Sequence, residues 1–345
     1  MRRFISDIFM AKFKYLLLFV VCLVFGSCFD EDKYEDTKRG NFEALWKIMD
    51  ERYCFFEYKN IDWDDVYKRY SARIDENMDN DALFDVLGEM LDELKDGHVN
   101  LTATHDRTRY WEWYLDYPDN FDEKVQRDDK YLGTDYKLAG GIKYRRLEDN
   151  IGYIYYGSFS SGVGSNLSEA LSRLAVCDGL ILDVRNNGGG YLSNSEKLAE
   201  RFFEEKTLVG YMQHKTGKGH NDFSKPYEIY VEPPKDRILY MKKVVLLTNR
   251  RCYSAANDFV NAMSYAPNVT IMGDNTGGGS GMPFTSELPN GWSVRFSASP
   301  ILNAEMKHTE FGIEPDIKVR DMTDEDIMNR YDPFIEEARK YIKGN

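Results

Sequence analysis

The spacing of apolar and polar residues divides the chain into two parts. Over residues 41–100, apolar side chains recur at intervals of three and four, beginning with Phe42 and Leu45. This periodicity predicts three short amphipathic helices, which together would form a small N-terminal helical bundle. Residues 101–150 are aromatic and charged without a clear period, and we expect a linker or a small β subdomain there.

From Ile151 onwards, short apolar runs alternate with amphipathic stretches. Strands are expected at 151–156, 179–184, 243–248, 269–273 and 292–298, and helices at 165–176, 193–203 and 254–265. The alternation predicts an α/β fold with one core domain over 151–345. The polar stretch 204–240 is expected to cap or decorate that core.

The amino terminus has the pattern of an export signal. Basic residues precede an unbroken apolar run of eleven residues, 15–25. Such a run is too short to span a bilayer and is typical of a secretory signal. The small residues Gly26 and Ser27 and then Cys28 follow, and this arrangement resembles a bacterial lipoprotein signal. The resemblance implies that residues 1–27 are removed and that Cys28 is lipidated. An uncleaved apolar anchor or a buried helix is the alternative.

Residues 28–40 are acidic and lack apolar periodicity, which predicts a solvated tether. The stretch also resembles the acidic tract that directs some Bacteroidetes lipoproteins to the outer face of the outer membrane. We therefore expect an outer-membrane lipoprotein of the cell envelope, attached to the membrane through its lipid and facing the periplasm or the cell surface.

Composition excludes several functional classes. The chain has 345 residues, with 45 Lys and Arg against 58 Asp and Glu, a formal net charge of −13. Such a surface repels phosphate backbones, so we expect no nucleic-acid partner. The five cysteines lack CxxC spacing, and the five histidines show no ligand pattern with carboxylates. No metal site and no cofactor are expected.

A glycine-rich turn lies between the strand at 179–184 and the helix at 193–203. Its glycines, Gly188, Gly189 and Gly190, would let backbone N–H groups face outwards at a helix amino terminus, which suits an anion or an oxyanion. The turn lacks the third glycine of a dinucleotide fingerprint and the ending of a phosphate loop. An ordinary tight turn is the alternative.

A second strand-to-helix turn contains Ser254, followed by the small residues Ala255 and Ala256. A serine at this position is usually a helix cap. It becomes a nucleophile if a base reaches its hydroxyl and oxyanion donors lie opposite. Cys252 is the weaker alternative, since nothing near it in the sequence indicates an activated thiol. Among the histidines, His98 follows the helical region directly, where a loop role is the alternative to catalysis.

Five segments, taken together and in this order, resemble the tail-specific (C-terminal processing) peptidase family, including its tricorn-type members. They are Leu94–His98, Leu180–Gly190, Cys252–Ala256, Gly273–Gly278 and Thr309–Val319. The resemblance covers roughly residues 41–320. It implies a ClpP/crotonase-like core and the hydrolysis of peptide bonds, in peptides or unfolded proteins, through an acyl-enzyme.

The family has two catalytic branches, and the sequence separates them. One branch uses a serine–lysine dyad, with the lysine some two dozen residues after the serine. No lysine occurs between Lys243 and Lys307, which excludes the dyad. The tricorn-like branch uses a histidine from the helical region and a late glutamate. The resemblance therefore implies that Ser254, His98 and Glu310 form the catalytic set.

The resemblance also implies a role for each residue. Ser254 would attack the carbonyl, and His98 would take its proton and return it to the leaving amine. The N–H groups of Ala255 and of Gly188 or Gly189 would stabilise the oxyanion.

Glu310 would orient the imidazole. Tricorn-type members place a serine just before the histidine, whereas this chain has Gly97. The fourth member of the set therefore has no counterpart at that position.

Substrate selection by a PDZ domain is not carried over to this chain. Only about fifty residues lie between Leu101 and Ile151, whereas a PDZ domain needs about ninety. The alternative to a serine endopeptidase is a non-catalytic binding protein on the same fold, holding an apolar ligand or a peptide. The presence of all three catalytic residues favours the peptidase.

Overall fold

The computed structural model describes residues 34–344. The predicted signal at 1–27, the lipidation site Cys28 and the first part of the predicted tether therefore lie outside the described residues. Within the described range, no helix combines the length and the apolar character needed to cross a bilayer.

The predicted helical bundle is present at the amino end of the described residues. Its helices are α1 (Lys38–Arg52), α2 (Phe56–Lys59), α3 (Trp63–Ser71) and α4 (Asn80–Asp92). The first helix begins three residues before the predicted start of the bundle, within the predicted tether, because the side chain of Thr37 accepts a hydrogen bond from the Gly40 amide and caps it.

The bundle has its own apolar core, which continues onto a sheet. Side chains such as Phe42, Leu45 and Leu87 pack in one cluster with Val294 and Phe296. Since the last two belong to a strand of the second sheet, the bundle is docked on that sheet by apolar contact.

A seven-stranded sheet forms the centre of the α/β core, in the order β12-β9-β8-β5-β4-β3-β2. Its strands are β2 (Lys137–Ala139), β3 (Ile142–Arg146), β4 (Gly152–Tyr155), β5 (Leu180–Asp183), β8 (Val244–Thr248), β9 (Val269–Gly273) and β12 (Ile317–Lys318). The strands from β4 to β12 run parallel, whereas β2 and β3 are antiparallel additions at one edge.

The two central strands are buried on both faces. Successive side chains of a strand point to opposite sides, and in β5 Leu180 and Leu182 enter one apolar cluster while Ile181 enters another. In β8, Val245 and Leu247 join the cluster of Ile181. Continuous apolar runs are typical of parallel strands covered by helices on both sides.

The three predicted helices of the core are present, and two further helices near the carboxyl end were not predicted. They are α7 (Leu167–Leu174), α8 (Leu192–Ala199) with a 3₁₀ turn (Glu200–Phe202), α9 (Ala255–Met263), α10 (Asp324–Met328) and α11 (Pro333–Lys343). Apolar residues of α7, α8 and α9 lie in one cluster and those of α11 in the other, so the helices cover opposite faces of the sheet.

A second sheet of five strands lies between the bundle and the core. Its order is β1-β11-β6-β7, and β10 also pairs with β11. The bounds are β1 (Asn100–Thr102), β6 (Thr207–Met212), β7 (Tyr227–Val231), β10 (Gly281–Glu287) and β11 (Ser293–Asn303). The polar stretch 204–240 thus contributes two of its strands.

Residues 101–150 differ from the predicted linker or small β subdomain. They contain two short helices, α5 (Glu112–Leu115) and α6 (Glu123–Gln126), and end in β2 and β3. Because β3 pairs with β4, these strands extend the central sheet instead of forming a separate unit.

Candidate active site

The two predicted turns meet at the carboxyl ends of β5 and β8. These strands are parallel neighbours, so the loops that follow them leave from the same edge of the sheet. The amide of Tyr253 donates to the carbonyl of Asn187 at 3.1 Å. Asn249 joins the same turns by accepting from the Asn186 amide at 2.9 Å and donating to its side-chain oxygen at 2.7 Å. The glycine turn and the serine turn therefore form one hydrogen-bonded platform.

Ser254 has a strained backbone. Its φ is +58° and its ψ is −124°, a region that residues other than glycine rarely adopt. The Ser254 amide donates to the carbonyl of Gly278 at 2.9 Å, which helps to fix this conformation. Although Ser254 directly precedes α9, its hydroxyl makes no capping hydrogen bond to the helix. The ordinary explanation for a serine at this position, a helix cap, is therefore wrong here.

The structure brings His98 and Ser254 together from distant parts of the chain. The distance between His98 Nε2 and Ser254 Oγ is 2.9 Å, although the residues are 156 positions apart. The His98 ring is buried at the carboxyl end of the helical bundle. A hydrogen bond of this length allows the imidazole to remove the hydroxyl proton.

Burial lowers the pKa of His98 to about 4. The negative charge of Asp96 acts in the opposite direction and favours the protonated ring. Asp96 also accepts a hydrogen bond from the His98 amide at 2.8 Å, so it fixes the backbone that carries the imidazole. The ring is therefore a neutral base in the free protein, with a carboxylate nearby to stabilise the imidazolium that forms during a reaction.

The sequence predicted that Glu310 would orient the His98 imidazole. Glu310 lies in the site, but its carboxylate binds other groups. Its Oε1 lies 2.9 Å from Lys59 Nζ, and its Oε2 accepts a hydrogen bond from the Ser280 amide at 2.8 Å. No hydrogen bond joins Glu310 to His98 in the described part of the chain, and the backbone of Gly281 instead offers the His98 ring a hydrogen bond that favours its protonated form. The physical reason is Lys59, whose ammonium takes up the carboxylate.

Lys59 joins two buried carboxylates. Its Nζ also lies 3.7 Å from Asp96 Oδ2, and its side chain is only 5% exposed. Burial raises the pKa of Glu310, and the charge of Asp96 adds to this, whereas Lys59 opposes it. Burial alone would raise the pKa of Asp96 as well, but Lys59 and His98 bring it below the ordinary value.

The glycine turn offers one of its two proposed oxyanion donors. The Gly189 amide donates to the Asn187 side-chain oxygen at 2.9 Å, so the prediction that Gly189 could serve as a donor is wrong. The amides of Gly188 and Ala255 have no hydrogen-bond partner in the described part of the chain. Ala255 is the first residue of α9, where the helix leaves its amides unpaired. These two N–H groups are the donors available for an oxyanion.

The thiol of Cys252 is not a nucleophile in this site. It is buried, its Sγ donates to the carbonyl of Val184 at 3.0 Å, and burial raises its pKa to about 12. The three described cysteines, Cys54, Cys177 and Cys252, are all free and buried. Residues 34–344 contain no cluster of His, Cys, Asp and Glu that could hold a metal ion.

Comparison with known proteins agrees with this geometry. The family model for peptidase family S41 matches residues 150–319, and the model for the tricorn protease C1 domain matches residues 34–92. A crystal structure of a putative peptidase from Parabacteroides merdae is 56% identical, covers 89% of this chain and 97% of its own, and superposes with a TM-score of 0.85. The chain belongs to peptidase family S41.

Other known proteins match at lower sequence identity. The carboxy-terminal processing protease CtpA of Bacillus subtilis is 26% identical over 203 residues, which is 58% of this chain and 40% of that protein. The chain thus spans about two fifths of the length of this curated relative. The crystal structure of the tricorn protease, 16% identical, covers 90% of this chain and 37% of its own with a TM-score of 0.52, and shows the shared fold alone.

Sequence reasoning missed three residues of this S41 site: Lys59, Asp96 and Trp113. Asp96 could have been found, because an aspartate two residues before a turn histidine commonly accepts the histidine amide. Lys59 and Trp113 gave no comparable signal. Lys59 reaches Glu310 through the docking of the bundle, and Trp113 reaches the site from the segment 101–150, which has no clear period.

Proposed function

We propose that the protein is a serine endopeptidase that hydrolyses peptide bonds through an acyl-enzyme. The observation that carries this proposal is the 2.9 Å contact between His98 Nε2 and Ser254 Oγ, beside two unpaired backbone amides. Membership of family S41 supports the same reaction class. The substrate would be a peptide or an unfolded protein, in extended form.

The first half of the reaction forms the acyl-enzyme. Ser254 Oγ attacks the scissile carbonyl carbon while His98 Nε2 removes the hydroxyl proton. The carbonyl oxygen gains negative charge, which the N–H groups of Ala255 and Gly188 stabilise. The imidazolium then gives its proton to the leaving amine as the carbon–nitrogen bond breaks.

The second half releases the product. A water molecule gives a proton to His98 and attacks the acyl carbon; the bond between that carbon and Ser254 Oγ then breaks, and Oγ takes the proton from His98 as the new carboxylic acid leaves. Asp96 lowers the free energy of the imidazolium in both halves by its charge. Glu310, paired with Lys59, holds the Ser280 amide and so fixes the strand beside the histidine.

A fluorophosphonate probe and an unfolded protein substrate test the proposal together. Wild-type protein should label at Ser254 and cleave the substrate, and Ser254→Ala should abolish both. Ser264→Ala, at the other end of α9, is the matched control and should behave as wild type. If the wild type neither labels nor cleaves any member of a peptide library, the protein is instead a non-catalytic binding protein on the same fold.

We further propose that the mature protein is a lipoprotein of the cell envelope, anchored to the outer membrane through Cys28. The basic residues, the apolar run 15–25 and the Gly26-Ser27-Cys28 sequence support this. Cys28→Ser should abolish incorporation of labelled fatty acid and release the protein from the membrane fraction. Cys22→Ser, within the apolar run, should change neither. Fatty-acid incorporation by Cys28→Ser would contradict the proposal.

A further inference from the structure

Three rings stand in series beside the nucleophile. The indole of Trp113 stacks on the ring of Tyr253, with centroids 4.1 Å apart and planes at 27°. The Tyr253 ring lies 5.0 Å from the His98 imidazole at 60°. Because Tyr253 directly precedes Ser254, the series links segment 101–150 to both members of the hydrogen-bonded pair.

Gly97, directly before His98, leaves space for the indole of Trp113. A Cβ atom added to Gly97 would lie 2.6 Å from Trp113 Nε1 and 2.9 Å from the Tyr253 hydroxyl. The backbone of Gly97 does not have a positive φ, so glycine is required there for space and not for conformation. The indole and the phenol therefore occupy the volume that a side chain at position 97 would need.

Two further glycines, from the loop at 277–279, also lie against the two aromatic rings. A Cβ atom on Gly277 would lie 2.4 Å from Trp113 Cζ3, and one on Gly279 would lie 2.4 Å from Tyr253 Cζ. Gly277, like Gly97, has no positive φ. Two loops that are distant in sequence thus lack side chains where the two aromatic rings lie.

Hydrogen bonds and a cation–π contact hold the segment that carries the indole against the serine turn. Arg250 Nε donates to the carbonyl of Trp113 at 2.6 Å, and its Nη1 donates to the carbonyl of Thr276 at 2.9 Å. The guanidinium of Arg251 lies 4.5 Å from the ring centroid of Tyr114. The position of the indole is therefore fixed relative to Ser254 from both sides.

We propose that Trp113 is a positioning residue for His98, acting through Tyr253. This proposal rests on the proposed function in so far as His98 is the catalytic base. The stack restricts the tilt of the imidazole and excludes water from its face.

Removing the indole should change the titration of the imidazole. Burial is the largest cause of the lowered pKa of His98, so water admitted by Trp113→Ala should raise that pKa towards the ordinary value. The charged and titratable groups that face His98 from the surrounding elements are retained in the variant; they are Asp96, Lys59, Arg295 and Tyr253.

The first test compares Trp113→Ala with Trp113→Phe and Trp111→Ala. Trp111 is the matched control, because it lies two residues away, is 43% exposed and does not contact Tyr253 or His98. Trp113→Ala should lower kcat roughly 10- to 100-fold, a part of the 10²–10⁴ that general-base catalysis contributes, with KM changed less than about threefold. The acidic limb of kcat/KM should move to higher pH. Trp113→Phe should restore most of kcat and the limb.

The second test measures the pKa of His98 by NMR in the Ser254→Ala protein, with and without Trp113→Ala. This measurement needs no activity, so it separates failure of the present proposal from failure of the proposed function. A higher pKa of His98 in the variant lacking the indole supports the positioning role. An unchanged pKa and an unmoved acidic limb would show that Trp113 serves folding only and would overturn the proposal.

The third test is a double-mutant cycle between Gly97 and Trp113. Gly97→Ala should reduce kcat in the wild type, because its methyl group meets the indole, and should cost much less in the Trp113→Ala background. Additive losses would contradict the proposal. If Trp113→Ala does not fold, Gly97→Ala in the Trp113→Phe background gives the same comparison, since phenylalanine lacks the Nε1 atom that Gly97 faces.

Discussion

Lys59 Nζ lies 2.9 Å from Glu310 Oε1, and this ion pair joins the helical bundle to the loop that follows the second sheet. Both side chains are at most 5% exposed. Breaking a buried pair by removing one partner leaves an uncompensated charge, which is strongly destabilising. The pair therefore contributes to the docking of the bundle as well as to the electrostatics around His98.

Lys59→Met should destabilise the protein by about 3–5 kcal/mol, the usual cost of leaving a buried charge without its partner. Two carboxylates, Asp96 and Glu310, would lose their common cation. Denaturant unfolding followed by circular dichroism measures the change. Lys47→Met is the control, since Lys47 forms surface pairs with Asp50 and Glu51 and should cost less than about 1 kcal/mol. Equal losses in the two variants would refute this assignment.

Asp96→Asn should move the acidic limb of kcat/KM to lower pH. The charge of Asp96 raises the pKa of His98, so its removal lowers that pKa further and weakens the base. We expect kcat to fall roughly tenfold to a hundredfold, within the range that general-base catalysis contributes. Asp81→Asn is the control, because Asp81 lies 3.6 Å from Nε2 of the exposed His105 and should leave the profile unchanged. If the acidic limb of Asp96→Asn moves to higher pH instead, Asp96 does not raise the pKa of His98.

Gly188→Ala and Gly189→Ala should differ sharply although they are neighbours. A Cβ atom on Gly188 would meet nothing within 4 Å, so activity should stay within about threefold of wild type. A Cβ atom on Gly189 would lie 2.6 Å from the Tyr253 carbonyl oxygen and 2.9 Å from Ser254 Cβ, and the residue has a φ of +95°. We expect Gly189→Ala to lose at least about 100-fold in kcat/KM, comparable to the loss of an oxyanion donor. Steady-state kinetics decides, and similar values for the two variants would contradict the geometry.

Asp258→Asn should make the protein more stable at high pH. Asp258 lies one turn after Ser254 on α9, its Oδ1 has no hydrogen-bond partner in the described residues, and burial raises its pKa to about 8. Between pH 4 and pH 8 the native state holds a proton that the unfolded chain has lost, so wild-type stability falls as the pH rises through this window. The asparagine variant lacks this contribution.

The size of the effect follows from the cost of a buried group without partners. We expect Asp258→Asn to gain on the order of 1–3 kcal/mol over wild type at pH 9, with a smaller gain at pH 6. Melting temperatures at the two pH values test this. Asp178→Asn is the control, because Lys343 holds the pKa of the Asp178 carboxyl below its ordinary range and gives no slope between pH 6 and pH 9. A gain for Asp258→Asn that is the same at both pH values would argue against the titration of Asp258.

Local patterns predicted the elements that carry the site, whereas its connections depend on tertiary docking. The apolar runs of β5 and β8 placed the two turns at one edge of the sheet, and the motifs around His98 and Ser254 indicated the pair. The Gly189 amide donates to the side-chain oxygen of Asn187 because of the conformation of this turn. The composition of the turn does not reveal that conformation.

The partner of Glu310 illustrates the same limit over a longer distance. Lys59 lies near the start of the chain and reaches Glu310 only because the bundle packs on the second sheet. The sequence therefore predicted the presence of Glu310 in the site correctly but its contact wrongly. No periodicity in 101–150 indicated that an indole from this segment would stack on the ring of Tyr253, next to Ser254.

His98 is flanked by residues of the apolar cluster of the bundle, such as Leu94 and Val99, whereas Ser254 is flanked by residues of a core cluster, such as Cys252 and Ala255. Neither the bundle nor the core holds both members of the pair, so the 2.9 Å contact between His98 Nε2 and Ser254 Oγ exists only after the two parts have docked. A chain still being made, or one that has folded only in part, has a hydroxyl without a base. In a peptidase of this design, maturation of activity and completion of the fold are therefore the same event.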